Sequence, residues 1–458
     1  MKFRKNKVRL KILAVILGII FFMPFFMPSI NAEETSSLER STEEKQSIYQ
    51  LSPEEMERIK EIEPTVGPAK KFWDRIFIIC DAQVLGLYSK SDNGNGIGGV
   101  NADLKFSPSM MLGPKDFLIP VYNGSYSHSK RVVNEIEGAQ IYQSFQSHNA
   151  NLAWRHRFSD ELTGKINAFG TWSYTVETRD EDWGKGLYDY SDVGGDVDLR
   201  WVERPTDLEV QEYTAGFEYY NRSYPNYHSL ISLASVTAPE DHEQNYNGYR
   251  LTAGYKFALI NGWTASLDCS SLYKGFIDKK IIDSDGILKS DKRNDFVNDI
   301  DPAISYNIND NWILGLNNDY QIYTSNQNFY DSRGTVTLND DVYTHDYYNY
   351  YSIGLMPGIT YMKEMGPEKK LIATLTYGFT YKSYWDRNVQ DFTGNYLDKT
   401  QTDYISDVAF NVKCPFDKNW ALRFLAEYRN VRSNMRYEQY YLYHYALYNI
   451  GGGISYSF

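Results

Sequence analysis

The sequence predicts an all-β fold, an antiparallel transmembrane β-barrel of about sixteen strands, preceded by an export signal and a short acidic leader. Three observations carry that expectation. From about Ile76 to the last residue, apolar and polar side chains alternate with a period of two. The alternating runs last 12 to 18 residues, longer than the usual 5 or 6 of soluble sheets and enough to cross a bilayer on a tilt. Connections then alternate between short turns and long polar loops.

Composition agrees. Mean hydropathy is −0.52, too polar for a bundle of membrane helices, and after Ala32 no apolar run is long enough for one. The chain holds 40 Tyr, 23 Phe and 9 Trp against 3 Cys, which excludes a disordered or disulfide-stapled protein. Tyrosine joins strand propensity to a ring that tolerates lipid and a hydroxyl that seeks water, a combination suited to membrane interfaces.

Residues 1–32 read as a secretory signal peptide. Lys2, Arg4, Lys5, Lys7, Arg9 and Lys11 precede the apolar run Ile12 to Phe26, and cleavage is expected after Ala32. Removing those six cations takes the formal charge from −12 to −18. An exported, acidic chain argues against nucleic acid as a partner. Residues 33–75 form a Glu-rich periplasmic leader. Ser52, Pro53 and Glu55 resemble a helix start, with Met56, Ile59 and Ile62 at helical spacing, so one short helix is expected. The leader is either a solvated segment or a plug or dock for a periplasmic partner.

Residues 76–458 form the barrel. In 371–385 the odd positions run Leu371, Ala373, Leu375, Tyr377, Phe379 and Tyr381, while Thr374, Thr376, Thr380 and Lys382 lie between them. The same division separates Leu162, Ile166 and Trp172 from Thr163, Lys165 and Asn167, and Tyr249, Leu251 and Tyr255 from Arg250, Thr252 and Lys256. Strands are expected at 76–90, 98–109, 115–127, 142–158, 162–178, 195–204, 208–224, 245–258, 263–276, 293–306, 312–328, 342–362, 370–386, 398–414, 420–433 and 444–458. The weakest patterns are 98–109, 115–127 and 195–204, and losing one pair leaves 14 strands. Long polar loops are expected near 128–140, 179–194, 225–244, 277–292, 329–341, 387–397 and 434–443. Trp263, Trp312 and Trp420 each follow a short turn, which sets three indoles at one level as an interfacial girdle.

The last strand places Tyr448, Ile450, Ile454, Tyr456 and Phe458 on one face and stops at the terminal Phe. This resembles the C-terminal β-signal of porin-like outer-membrane β-barrel proteins of two-membraned bacteria. The resemblance implies an outer-membrane location, a lipid environment, and the barrel-assembly machinery as a partner during biogenesis. It identifies an architecture and no solute, and leaves the oligomeric state open.

A barrel of this size generally leaves a lumen wider than side chains fill, so a channel for small hydrophilic solutes or ions is the first expectation. The inward candidates for lining it are Lys165, Arg250, Lys256, Asp268, Asp319, Lys382, Arg423, Glu427 and Arg429. Of these, Arg423, Glu427 and Arg429 form the best candidate for a charged constriction or anion-attracting strip. The alternative is a plugged structural or export barrel that binds a periplasmic or surface partner. Nothing in the sequence points to catalysis, a cofactor or a metal: the seven histidines form no metal-binding helix, and no nucleophile elbow is present. Asp283, Asp285 and Asp291 lack full calcium-loop spacing and read as solvated loop. Cys80, Cys269 and Cys414 lie on scattered strands and are expected as free thiols, Cys269 on the lipid face beside Leu267.

Overall fold

The computed structural model describes residues 76–458 except 93–95, 134–139, 177–180, 207–208, 228–241, 260–261, 332–340, 367–368 and 439–441. The expected signal peptide and the leader with its short helix lie outside the described residues.

Among the described residues eighteen strands form in chain order: β1 (Ile76–Ser91), β2 (Ile97–Met111), β3 (Asp116–Val133), β4 (Gln140–Arg157), β5 (Leu162–Val176), β6 (Tyr190–Thr206), β7 (Glu209–Ser223), β8 (Tyr246–Leu259), β9 (Trp263–Ile282), β10 (Leu288–Asn309), β11 (Trp312–Ser325), β12 (Phe329–Asp331), β13 (Val342–Thr344), β14 (Tyr350–Gly366), β15 (Lys369–Gln390), β16 (Tyr396–Pro415), β17 (Trp420–Ser433) and β18 (Tyr445–Ser457). All but β12 and β13 pair antiparallel with their neighbours into one closed barrel, in which β1 meets β18. The count is sixteen, and the three weakest sequence patterns all form barrel strands. An even number lets the first and last strands close antiparallel.

Two expectations are corrected. The run 342–362 is not one strand: β13 pairs with β12 in a small separate sheet, and β14 begins only at Tyr350. The turn between them carries Asp346 at φ 53°, a left-handed conformation that ends the extended run. The long loops expected at 277–292 and 387–397 are mostly strand. Here β9 and β10, and likewise β15 and β16, continue as hairpins that turn at Gly286 (φ 76°) and Gly394 (φ 85°). Irregular register between Leu288 and Asn294, and between Ser383 and Asn388, breaks the clean alternation by which a strand is recognised.

Short turns cluster at the barrel end that holds both the start of β1 and the end of β18; the longer connections lie at the other. Val193, Val197, Leu199, Leu251, Ile304, Leu375 and Leu422 are exposed on the outer face while the alternate positions turn inward, so the barrel presents its apolar side outward. Cys80, Cys269 and Cys414 are free thiols.

Two aromatic belts bound that apolar band. At the turn end Trp263 packs on Tyr306, Trp312 on Tyr361 and Trp420 on Tyr456, with ring centroids 4.5, 4.7 and 4.9 Å apart. At the loop end a tyrosine belt runs from strand to strand through Tyr219, Tyr249, Tyr273 and Phe296, then Tyr351, Tyr381 and Tyr404. On β9 the belts are ten residues apart, Trp263 to Tyr273. At ~3.4 Å per residue and a tilt of ~40°, that is about 26 Å along the barrel axis, the height of a hydrocarbon band.

Candidate functional site: the inner wall

Register fixes which side chains face the lumen. Once Val193, Val197 and Leu199 face outward, Asp192, Asp196, Asp198 and Arg200 must face inward, and each paired strand inherits the same phase. By this rule Lys165, Arg250, Lys256, Asp268, Asp319, Lys382, Arg423, Glu427 and Arg429 all stand on the concave face.

Most of them do not stand alone. Lys165 Nζ lies 3.1 Å from Asp196 and 2.6 Å from Asp198. Asp196 also accepts from Asn167 Nδ2 at 2.6 Å. Arg250 pairs with Glu218 at 3.0 Å, Arg200 with Glu212 at 2.7 Å and Arg222 with Asp192 at 2.7 Å. Lys256 and Asp268 sit on β8 and β9, one diagonal step apart in the register. Arg429 donates to Asp407 at 2.6 Å, and Glu427 accepts from Asn449 at 3.1 Å. Arg423 donates from Nε to Ser455 Oγ at 3.0 Å. The expected constriction group of Arg423, Glu427 and Arg429 is therefore held by three different partners on β16 and β18. Charges on the wall are linked between adjacent strands, and these links lie along its surface.

The loop end of the lumen is packed differently. Lys382 is buried over the ring of Tyr350, with Nζ 3.9 Å from its centroid. The guanidinium of Arg222 lies 3.9 Å above Tyr190, and Tyr220, Tyr246, Leu272 and Phe276 form a buried cluster on the inner face of β7 to β9. Arg293 binds Asp295 at 2.8 Å, and Asp295 accepts from Tyr323 and from Ser325, each at 2.6 Å. Arg387 sits between Tyr347 and Tyr384, 4.2 and 4.0 Å from their centroids. Aromatic rings and cations thus thicken the wall at this end. Sequence reasoning passed over this layer and the β6–β7 ion pairs, although the same period-two rule, applied through Gly194 and Gly195, places them.

At the loop end His345, Asp346 and Asp386 bring one donor atom each within 4.8 Å of one another, a group not anticipated from sequence. Burial raises the Asp346 carboxyl above its ordinary range; His345 opposes this and Asp386 adds to it. Asp283 and Asp391 are held below the ordinary range by hydrogen bonds from their own turns, chiefly the Ser284 backbone for Asp283 and the Thr393 hydroxyl for Asp391.

No family model matches the sequence, and no curated protein matches it. Solved structures share the architecture. The chain is similar to OprB of Pseudomonas putida, with 11% identity over 84% of this chain and 94% of that one, at a TM-score of 0.47. It is similar to OccAB4 of Acinetobacter baumannii, with 11% identity over 84% and 98% and a TM-score of 0.43. A loop L8 deletion form of OmpT, an outer membrane protein of Vibrio cholerae, shares 12% identity over 84% and 100% at 0.39. These similarities concern the fold and carry no argument about a solute. The chain is a closed sixteen-stranded antiparallel barrel.

Proposed function

We propose that the protein is an outer-membrane channel through which small hydrophilic solutes or ions pass along a polar lumen. The observation that carries this reading is the division of one closed sheet into an apolar outer face between two aromatic belts and an inner face rich in charge. A barrel of sixteen strands has room for water inside, and charged side chains on its inner wall are kept hydrated. On this reading the short turns are periplasmic, residues 1–32 direct export, and residues 33–75 lie on the periplasmic side. Lys165, Arg250, Lys256, Asp268, Asp319, Lys382, Arg423, Glu427 and Arg429 line the path.

A second reading, a plugged barrel that binds a periplasmic or surface partner, is favoured by the buried aromatic and cationic layer at the loop end. One experiment separates the two. The purified protein is inserted into planar bilayers and single-channel current is recorded across a salt gradient. Stable steps with a defined reversal potential support the channel, whereas a folded, heat-modifiable but silent barrel supports the plug.

A further inference from the structure

At the loop end the turn between β13 and β14 lies against β15. Two hydrogen bonds fix the contact on either side of Asp386. The Trp385 amide donates to the Asn349 carbonyl at 3.0 Å, and Arg387 Nε donates to the Tyr347 carbonyl at 3.3 Å. Asp386 is thereby held beside the turn that carries His345 and Asp346. His345 Nδ1 lies 2.8 Å from Asp346 Oδ2, and one donor atom from each of the three residues falls within 4.8 Å of the others. Asn349 orients the Asp346 carboxylate by donating from Nδ2 to Oδ1 at 2.9 Å, which leaves Oδ2 on the side of His345.

Three observations at this corner point to a cation. The first is the donor set. One imidazole nitrogen with two carboxylate oxygens suits zinc and its neighbours among the transition metals, whereas calcium and magnesium take oxygen alone. Zinc bonds of ~2.0–2.2 Å set tetrahedral donors ~3.4 Å apart, a closure that the exposed Asp386 side chain reaches by rotation. The second is charge. Asp346 and Asp386 bring two carboxylates together, while Arg387, next in sequence, is taken up by the Tyr347 carbonyl and by the Tyr347 and Tyr384 rings. The third is a buried acceptor across the same turn. The Ser325 amide donates to Asn349 Oδ1 at 2.7 Å, and Phe329 pairs with Thr344, so residues 325–329 run alongside 344–349. Within that stretch Gln327 is 2% exposed, and its Oε1 has no hydrogen-bond partner among the described residues. A buried acceptor of this kind calls for an ion or a bound water.

We propose that His345, Asp346 and Asp386 form a binding site for a divalent transition-metal ion of the zinc type. His345 supplies Nδ1, the two aspartates supply one oxygen each, and water completes the shell. Asn349 is a positioning residue, since it acts on the ion through Asp346. The bound ion links the β13–β14 turn to β15 at the loop end of the barrel. This site goes beyond the channel reading and does not rest on it, because none of its ligands is among the side chains proposed to line the path.

The test uses the full protein without a histidine tag, in detergent micelles, and measures binding of zinc chloride and calcium chloride by calorimetry. Saturable zinc binding is expected, at least a hundredfold tighter than calcium. His345→Gln and Asp386→Asn each weaken it at least tenfold in protein that keeps its heat-modifiable mobility. His444→Gln, which alters a histidine that meets Glu438 on another loop, leaves it unchanged. Absence of saturable zinc binding, equal affinity for calcium, or an unchanged zinc affinity in either site variant overturns the site. Should a variant fail to fold, X-ray absorption at the zinc edge of the unaltered protein carries the test. One imidazole nitrogen among oxygens is the expected shell; a shell with no nitrogen, or with two or more, overturns the assignment.

Discussion

Arg429 donates from Nε to the Asp407 carboxylate at 2.6 Å, directly across the β16–β17 register. Arg423, six residues earlier on the same face, meets the neutral hydroxyl of Ser455. Two arginines of one strand therefore reach different groups on the two neighbouring strands, a carboxylate on β16 and a hydroxyl on β18.

That difference gives the first prediction. Arg429→Ser exposes the Asp407 charge and Arg423→Ser removes a cation, so both shift the reversal potential toward cation preference. Asp407→Asn shifts it toward anions. The Arg429 pair is partly exposed, and its loss costs only about 1 kcal/mol of barrel stability. Unchanged reversal potentials in all three variants remove this strand from the conducting path.

The β5–β6 network is more buried and matters more for stability. Lys165 bridges Asp196 and Asp198, and Asp196 is only 7% exposed. Lys165→Gln leaves two carboxylates side by side and is expected to destabilise the barrel by about 2 kcal/mol, between the limits for exposed and buried pairs. Adding Asp198→Asn restores part of the loss. Urea unfolding of the micelle-bound barrel, followed by tryptophan fluorescence, reads both values. No loss in the single variant means that water already screens the network.

The barrel was legible in the sequence because its main rule is local. Leu371, Ala373 and Leu375 alternate with Ile372, Thr374 and Thr376, and parity alone puts Lys382 inward. What was hidden depends on register between strands far apart in sequence. Nothing near Arg423 announces Lys413 as its neighbour, and nothing near Lys165 announces Asp196. The short sheet of β12 and β13 was missed for a related reason: three-residue strands carry too few alternations to show a period. Tyrosine content anticipated the belts, but only pairing shows that Tyr219, Tyr249 and Tyr273 are at one level.

The turn-end belt predicts a common depth. In variants that keep a single tryptophan at Trp263, Trp312 or Trp420, brominated lipids labelled at graded acyl positions should quench all three most strongly at the same depth, near the head groups. Each Trp→Ala change loses a ring pair worth ~0.5–1.5 kcal/mol beyond its area. Three different quenching depths contradict the belt.

The turn at Asp391 predicts a pH response. Its Oδ1 accepts from the Thr393 hydroxyl at 2.6 Å, the Thr393 amide at 2.8 Å and the Asn395 amide at 3.0 Å. These bonds favour the ionised form and lower its pKa. A group with a depressed folded pKa stabilises the turn above its unfolded value, ~3.9, and loses that contribution as pH falls through the folded value. The Thr393 amide chemical shift should therefore titrate with a midpoint below ~3.9, and in Asp391→Asn that transition disappears. A midpoint at or above the ordinary value contradicts the hydrogen-bonded turn.

Closure of the barrel predicts unequal tolerance of two seam glycines. Gly453 pairs with Leu85, and a methyl group on it would sit 1.9 Å from the Val84 carbonyl oxygen and 2.8 Å from the Leu85 Cα. Both atoms are backbone, so relief requires β1 and β18 to move apart. Gly86 pairs with Gly452 in the same seam, and its added methyl group would meet nothing nearer than 3.7 Å. Gly453→Ala is therefore expected to weaken or abolish the heat-modifiable closed form, while Gly86→Ala keeps it, its new methyl group facing the apolar band. Gel mobility before and after heating distinguishes them. Equal behaviour of the two variants means that the seam shifts register to absorb the extra carbon, and an amide-exchange comparison of Leu85 and Ile454 would then show reduced protection in Gly453→Ala alone.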